Sequence, residues 1–327
     1  MRLNVEIRRA NQFDNRPSPF SGAGATLADS QSPAPRPRSC PVLCLHGHPG
    51  SGAAMSVFTD ALTAAGFDTY SPDLRGYGKS QTKYPFEMTS HLDDIEALLT
   101  EHNIKQCLVL GWSLGGILTL ELALRRPEMV RGMILVATAA RPRGSHPPIS
   151  LWDNVITGVT GVLNVALHFI ASNPVAPGSM TSGSIASSST TSNVEPMGGW
   201  VRSLGKKSLF RYLIQQHTPV AYQYLAKQGA PALIRMSRQA DAALSRAIRA
   251  GYSRVPDIKA LEMPALMLCG ECDRHITAKS SLETARALPN CETRCYPNTA
   301  HLFPWEIPDM VNADIQHWLM THPTLWT

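Results

Sequence analysis

The feature that most constrains the fold is an alternation of short apolar runs with stretches of helical periodicity. Five runs have the composition of buried strands: VLCLH (42–46), FDTYSP (67–72), CLVLG (107–111), GMILVA (132–137) and ALMLCG (265–270). Apolar residues recur at helical spacing over 53–65, 89–102, 114–126, 277–288 and 306–320. Strands that alternate with helices predict an α/β fold, in which helices cover both faces of a mostly parallel central sheet.

The alternation divides the chain into three parts. It stops near Arg141 and resumes near Pro256, and the residues between combine helical pattern with a Ser/Thr-rich loop at 179–193. So long an interruption exceeds a simple connection, so we expect an inserted helical cap at 141–255. The α/β domain is then predicted at 41–140 and 256–327. Residues 1–40 form an N-terminal arm that we expect to be partly flexible, because its Pro, Ser, Gly and Ala bury little apolar area.

Composition restricts the partners and the compartment. The formal net charge is +5, and no basic run is interleaved with aromatic residues, so we expect no nucleic-acid partner. The first residues, MRLNVEIRRANQF, contain no continuous apolar run of the kind a secretory signal requires. Seven cysteines, an odd number, argue against a disulfide framework. We therefore predict a cytoplasmic location, while six Arg against three acids in residues 1–38 leave an organellar transit peptide as the alternative.

The sequence GWSLG at 111–115 is the candidate nucleophile site. It follows the apolar run CLVLG and precedes a helical stretch, which is the context that makes a GxSxG match informative. Glycines at 111 and 115 permit a tight strand-to-helix turn that raises the Ser113 hydroxyl above the sheet. The helix that begins there also directs its positive end toward developing negative charge. Ser113 is therefore the predicted nucleophile.

A second motif, HGHPG at 46–50, directly follows the first apolar run. Acyl transfer requires donors that stabilise an oxyanion in a dry site. We predict that the backbone N–H groups of His48 and Leu114 supply them. The His46 side chain is expected to support the loop through hydrogen bonds rather than to act as a base.

Together, five motifs in this order resemble the α/β-hydrolase superfamily: HGHPG (46–50), DLRGYGKS (73–80), GWSLGG (111–116), GECDRH (270–275) and AHLFPWE (300–306). The resemblance covers most of 41–140 and 256–321. In this family two antiparallel strands usually precede the parallel ones, and here only LNVEIRR (3–9) could supply one. Asp73, Gly76 and Gly78 match a turn motif that we interpret as structural.

The resemblance implies a Ser, acid, His order for the catalytic triad. Asp273 matches the family's acid position, with Glu271 as the competing carboxylate. His301, on a loop before the last helix, is the predicted general base, because the reaction needs a group that titrates near neutrality. His275 is expected to be a surface or loop residue. The α/β domain that carries these residues is therefore the predicted catalytic domain.

A serine nucleophile implies an acyl-enzyme made from an ester, thioester, amide or lactone, with no cofactor and no metal. Dehalogenases and epoxide hydrolases of this superfamily use aspartate at that position, so Ser113 argues against both. Cys269, Cys272, Cys291 and Cys295 allow a zinc site to be imagined, but Cys269 and Cys295 lie in strand-like runs where small core residues are usual. The favoured function is a carboxylic ester hydrolase. The alternatives are a small-molecule receptor on the same scaffold and a cofactorless perhydrolase or haloperoxidase.

The composition of the predicted cap suggests what kind of substrate and surface the protein meets. Residues 200–254 contain ten Lys or Arg and one acid, which would attract anions or an anionic surface. Residues 149–171 have an apolar face and a polar stripe, so the segment is amphipathic rather than membrane-spanning. A small-molecule or lipid ester substrate, with peripheral contact to an anionic membrane, fits both features. A packed lid with a solvated basic face is the alternative.

Overall fold

The computed structural model describes residues 1–10, 38–142 and 213–327. They all belong to one compact unit, Met1–Pro148 with Tyr212–Thr327, while the second unit, Ile149–Arg211, lies outside the described residues. The predicted helix at 149–171, the loop at 179–193 and residues 11–37 of the arm are therefore also outside them. The described residues suffice to build the predicted catalytic domain.

A seven-stranded sheet forms the centre of this unit, with the strand order β1-β3-β2-β4-β5-β6-β7. Only β1 runs antiparallel to its neighbour, β3; every other pair is parallel. The predicted α/β class is confirmed, and the segment LNVEIRR supplies the antiparallel edge strand. The strands are β1 (Val5–Arg8), β2 (Val42–Leu45), β3 (Thr69–Pro72), β4 (Cys107–Trp112), β5 (Val130–Val136), β6 (Ala265–Gly270) and β7 (Cys291–Tyr296).

The predicted helices of the catalytic domain begin and end within a few residues of the observed ones. The first begins as a 3-10 turn at Gly52–Met55 before it becomes α-helical. In the described part of the chain the helices are α1 (Ser56–Ala64), α2 (Ser90–Glu101), α3 (Leu114–Arg125), α4 (Pro219–Tyr224), α5 (Ala230–Arg235), α6 (Arg238–Arg249), α7 (Ala278–Ala287), α8 (Phe303–Glu306) and α9 (Pro308–Thr321). A π-helical turn, Leu225–Gly229, joins α4 to α5.

Apolar layers cover both faces of the sheet. In β2, Leu43 and Leu45 pack into one layer, whereas Val42 and Cys44 pack into the other. Because neither face of the central strands meets water, β2, β4, β5 and β6 are predominantly apolar rather than alternating apolar and polar, as is usual for parallel strands. This is the physical reason that the strand-like runs were visible in the sequence.

Part of the predicted cap shares these layers. Ala240 and Ala243 of α6 are buried on one side of the sheet, and Ala221 and Tyr224 of α4 are buried on the other. Residues 213–255 thus pack within the same unit as the predicted catalytic domain. The boundaries of the cap remain a prediction.

Cys269 and Cys295 are register partners on β6 and β7, in the strands predicted for them. Cys269 is fully buried, and Cys295 is exposed at the edge strand. Within the described ranges, no cluster of three or more His, Cys, Asp or Glu side chains is placed to hold a metal ion. The helices of those same ranges include none with the length and apolar character needed to span a membrane.

Candidate active site

Ser113 occupies the sharp turn between β4 and α3. Its backbone has φ 54° and ψ −113°, a conformation that residues other than glycine rarely adopt. The Ser113 N–H donates to the Val136 carbonyl at 2.9 Å, and the Thr138 hydroxyl donates to the Ser113 carbonyl at 2.8 Å. These bonds to β5 and its following loop hold the strained turn in place.

Two glycines make the turn possible by allowing close backbone approach. A Cβ atom on Gly111 would run into the carbonyl oxygen of Gly115. A Cβ atom on Gly115 would run into the carbonyl oxygen of Leu45, and it would lie 2.9 Å from that of His46. The first turn of α3 is therefore pressed against the loop that follows β2, which brings the GWSLG and HGHPG motifs together.

His301 and Asp273 complete a buried chain of polar contacts with Ser113. His301 Nε2 lies 3.2 Å from Ser113 Oγ, and His301 Nδ1 lies 2.8 Å from Asp273 Oδ2. Each of the three residues is less than 5% exposed. The other carboxylate oxygen, Asp273 Oδ1, accepts from the backbone amides of His275 and Ile276 at 2.8 and 2.9 Å. The carboxylate is thus held from one side while it faces the imidazole on the other.

The structure brings Asp273 to His301 and leaves Glu271 apart. Glu271 is exposed, and its Oε2 accepts from the Asn298 amide at 3.2 Å. Glu271 directly follows β6, whereas Asp273 lies two residues further, where the loop turns back toward the loop that carries His301. The choice between the two carboxylates that the sequence left open is therefore a matter of loop geometry.

The His46 side chain supports the loop after β2, as predicted. Its Nε2 accepts from the Leu74 amide at 3.0 Å, so its Nδ1 carries the proton that is donated to the Gly47 carbonyl at 2.8 Å. Burial lowers the pKa of His46 to about 4. A neutral imidazole is the form that can make both bonds. Gly47 is needed beside it, because a Cβ atom there would lie 2.7 Å from the Trp112 ring.

His48, the predicted backbone donor, also has side-chain contacts that the sequence did not indicate. Its Nδ1 lies 2.7 Å from the Tyr77 hydroxyl, and its Nε2 lies 3.5 Å from Asp241 on α6. Burial lowers the pKa of His48, although Asp241 acts in the opposite direction. Leu114 is the first residue of α3, a position where the amide has no acceptor within the helix. The Leu114 amide thus directly follows Ser113 at the start of α3, and His48 lies in the loop after β2 that the first turn of α3 approaches.

Asp73 holds the turn motif that follows β3. Its carboxylate accepts from the amides of Gly52 and Lys79, both at 2.8 Å, and from the Asn4 side chain at 2.9 Å. A Cβ atom on Gly78, which has φ 49°, would overlap this carboxylate. The structural interpretation of Asp73 and Gly78 is confirmed.

Glu306 is a buried residue beside the site that was not predicted from the sequence. This carboxylate is only 4% exposed, and it accepts from the backbone amides of Ala300, Gln215 and Gln216 at 3.1, 3.3 and 2.7 Å. Burial raises its pKa, against the effect of the three amides. Glu306 therefore joins the residue before His301 to the segment that leads into α4. Its only sequence signal was its place in AHLFPWE.

His275 is closer to the site than expected of a surface or loop residue. It lies in the loop after β6 and is half-buried, with its ring centroid 4.6 Å from that of His301 and the two rings in an edge-to-face arrangement. The predicted loop position is observed, and the side chain there is half-buried. The His275 amide donates to the Asp273 carboxylate, which holds this part of the loop close to the site.

A group of aromatic rings lies next to His301. The Trp112 ring centroid is 5.8 Å from that of His301 and 4.8 Å from that of Trp305. Tyr224 of α4 stacks on Trp305 with centroids 3.8 Å apart. All three rings are buried, and burial raises the pKa of the Tyr224 hydroxyl. The segment predicted as cap thus contributes an aromatic side chain to the surroundings of the site.

Comparison with known proteins agrees with this architecture. A family model described as alpha/beta hydrolase fold matches residues 41–308. Pimeloyl-[acyl-carrier protein] methyl ester esterase of Yersinia pseudotuberculosis serotype O:1b is 34% identical over 100 residues, which are 31% of this chain and only 37% of that enzyme's length. An uncharacterized hydrolase of Bacillus subtilis is 22% identical over 278 residues, covering 84% of this chain and 88% of that one.

Among solved structures, a thermophilic esterase from Thermogutta terrifontis superposes with a TM-score of 0.62 at 20% identity, covering 89% of this chain and 92% of that one. At this identity the likeness shows the fold alone. The family model spans both segments of the predicted catalytic domain, including every motif described above. The chain therefore belongs to the α/β-hydrolase fold family.

Proposed function

We propose that this protein is a serine hydrolase that cleaves carboxylic esters through an acyl-enzyme on Ser113. The observation that carries the proposal is the buried chain of contacts from Ser113 through His301 to Asp273, at 3.2 and 2.8 Å. It lies on an α/β-hydrolase scaffold, at the ends of β4, β6 and β7. This is the geometry that nucleophilic acyl transfer by serine requires.

His301 acts as the general base in this proposal. As Ser113 Oγ attacks the ester carbonyl, Nε2 takes its proton, and the same proton is later given to the leaving alcohol. Asp273 fixes the imidazole with Nδ1–H toward the carboxylate and stabilises the imidazolium that forms. The amides of His275 and Ile276 hold Asp273 in position for this role. In the second half of the reaction, water attacks the acyl-enzyme with His301 again as the base.

The backbone amides of His48 and Leu114 form the proposed oxyanion hole. The close approach of α3 to the loop after β2 supports this assignment, because that loop carries His48 and α3 begins at Leu114. The amides at the start of α3 add the positive end of a helix dipole to the same region. Such preorganised donors act on charge that develops only in the transition state.

The aromatic cluster of Trp112, Tyr224 and Trp305 supports a preference for an apolar acyl group. These rings are buried, and the Trp112 ring centroid lies 5.8 Å from that of His301. Buried apolar walls near the site favour an apolar acyl group over a charged one, because burying an unpaired charge beside them would be costly. The Yersinia relative is named a methyl ester esterase, which agrees with an ester substrate. We therefore propose esters of small alcohols or lipid esters as the substrate class.

The test is hydrolysis of a p-nitrophenyl ester series of increasing acyl length, with labelling by a fluorophosphonate. We expect turnover and labelling in the wild type, and loss of both in Ser113→Ala, with kcat lower by about 10⁴-fold or more. Ser245→Ala, on α6, is the matched control and should keep wild-type activity. Near-wild-type hydrolysis by Ser113→Ala would refute the proposal.

The same assay separates the two alternatives. A receptor on this scaffold would bind or be acylated by the esters but would release product slowly or not at all. A perhydrolase would form peracid from a carboxylic acid and hydrogen peroxide faster than it hydrolyses esters. Either outcome would replace the ester hydrolase proposal.

A further inference from the structure

Three large apolar side chains are exposed on two neighbouring segments of the surface. Tyr84 is 81% exposed, and Leu233 and Ile234, at the end of α5, are 55% and 66% exposed. Most side chains of this size in the described residues are buried in the two layers around the sheet. Contiguous apolar exposure of this kind usually marks a contact surface.

Two hydrogen bonds connect the segments. The Gln81 side-chain amide donates to the Arg235 carbonyl at 2.9 Å, and the Gln239 side-chain amide donates to the Lys83 carbonyl at 3.0 Å. The loop that carries Tyr84 is therefore fastened to the end of α5 and the start of α6. We call this surface the basic apolar ridge, and define it as Lys83, Tyr84, Leu233, Ile234, Arg235 and Arg238.

The ridge carries positive charge without compensation. Residues 79–85 and 227–238 contain five Lys or Arg and no acid. The acids next to them in sequence have other partners: Glu87 pairs with Arg246 at 3.3 Å, and Asp241 lies 3.5 Å from His48. Among the ion pairs of the described residues, none includes a cation of the ridge. Exposed apolar groups next to unpaired cations are complementary to a surface that has an anionic outer layer and an apolar layer below it.

We infer that the basic apolar ridge binds the surface of an anionic lipid membrane. Leu233, Ile234 and Tyr84 would enter the interface, while the cations contact lipid phosphates. The inference goes beyond the proposed function, because binding does not require hydrolysis. The ridge is also connected to the proposed site, since Arg238 begins α6, and Asp241 of the same helix lies 3.5 Å from His48, a residue of the proposed oxyanion hole. A membrane bound at the ridge would therefore lie on the side of the protein near the proposed site.

The experiment is sedimentation of the full chain with vesicles of phosphatidylcholine alone and of phosphatidylcholine mixed with phosphatidylglycerol. We expect binding to the mixed vesicles only, and release as salt shortens the range of the charge interaction. Two independent variants test the two features. Leu233→Ser with Ile234→Ser should weaken binding by roughly tenfold or more, because it removes the groups that enter the interface. Lys83→Gln, Arg235→Gln and Arg238→Gln together should weaken it by a similar factor.

Two matched controls remove side chains of the same kinds, apolar and cationic, from parts of the surface outside the ridge. Met310→Ser with Met320→Ser removes two other apolar side chains that are 56% and 61% exposed, on α9. Lys105→Gln, Lys259→Gln and Lys279→Gln together remove three exposed cations and give the same net charge as the ridge variant. We expect both controls to bind like the wild type.

The inference is overturned if the wild type sediments with neither vesicle, or equally with both. It is also overturned if the charge control weakens binding as much as the ridge variant, because net charge alone would then explain attraction. Hydrolysis of a short soluble ester by every variant, together with its thermal unfolding, is measured in parallel. An absence of ester hydrolysis in the wild type would refute the proposed function and leave the sedimentation result standing.

Discussion

The buried His46 makes the protein sensitive to mild acid. Burial lowers the pKa of His46 from 6.5 to about 4 in the folded chain. Protonation would break the bond that Nε2 accepts from the Leu74 amide. The unfolded chain therefore binds a proton at a higher pH than the folded chain does. The contribution to stability is complete above the unfolded pKa and is lost progressively as the pH falls through the folded pKa.

The magnitude follows from the two pKa values. Between about pH 7 and about pH 5, preferential protonation of the unfolded chain lowers the free energy of unfolding by about 2 kcal/mol from His46 alone. His46 is fully buried, so solvent screening does not reduce this figure. His91 adds a similar loss over the same range and a further loss below it, since burial lowers its pKa to about 3. The free energy of unfolding should thus fall at a pH above the ordinary pKa values of Asp and Glu, at which most carboxylates are still ionised.

Urea unfolding at about pH 7 and about pH 5 measures this effect. His46→Gln serves as the comparison, because a glutamine can still accept from the Leu74 amide but does not titrate. We expect the variant to be less stable than the wild type at about pH 7, and to lose about 2 kcal/mol less between the two pH values. His48 and His91, whose pKa values burial also lowers, remain in the variant and account for its residual acid sensitivity. Equal losses in the two proteins would refute the reasoning.

Three further predictions concern the site. Asp273→Asn should lower kcat by about 10⁴-fold, whereas Glu271→Gln should change it little; equal effects in steady-state assays would leave the acid unassigned. Gly115→Ala should prevent stable folding, because its Cβ overlaps a carbonyl of β2, while Gly229→Ala, where a Cβ has room at 3.4 Å, should be tolerated in thermal unfolding. Glu306→Gln should lower the free energy of unfolding by about 1–3 kcal/mol, because its amide nitrogen cannot accept from a backbone N–H, and should lower kcat as the loop before His301 shifts.

Much of the framework could be predicted because its signals are local. The central strands are predominantly apolar, since both of their faces are covered, and the helices show their own periodicity. The turn at Ser113 was visible because two glycines close to it permit the close approach of backbone atoms. The support that His46 gives its loop followed from its place directly after β2.

The remaining features depended on contacts between residues far apart in the chain. Ser113 and His301 are separated by 188 positions, and only folding decides that their side chains meet at 3.2 Å. The loop after β6 selects Asp273 rather than Glu271 to face His301. The roles of Glu306 and of the basic apolar ridge likewise arise between segments that no local pattern connects. The sequence determined the elements and their turns, because those depend on neighbouring residues. The tertiary structure decided which polar groups share a buried site, because that depends on the path of the loops between the elements.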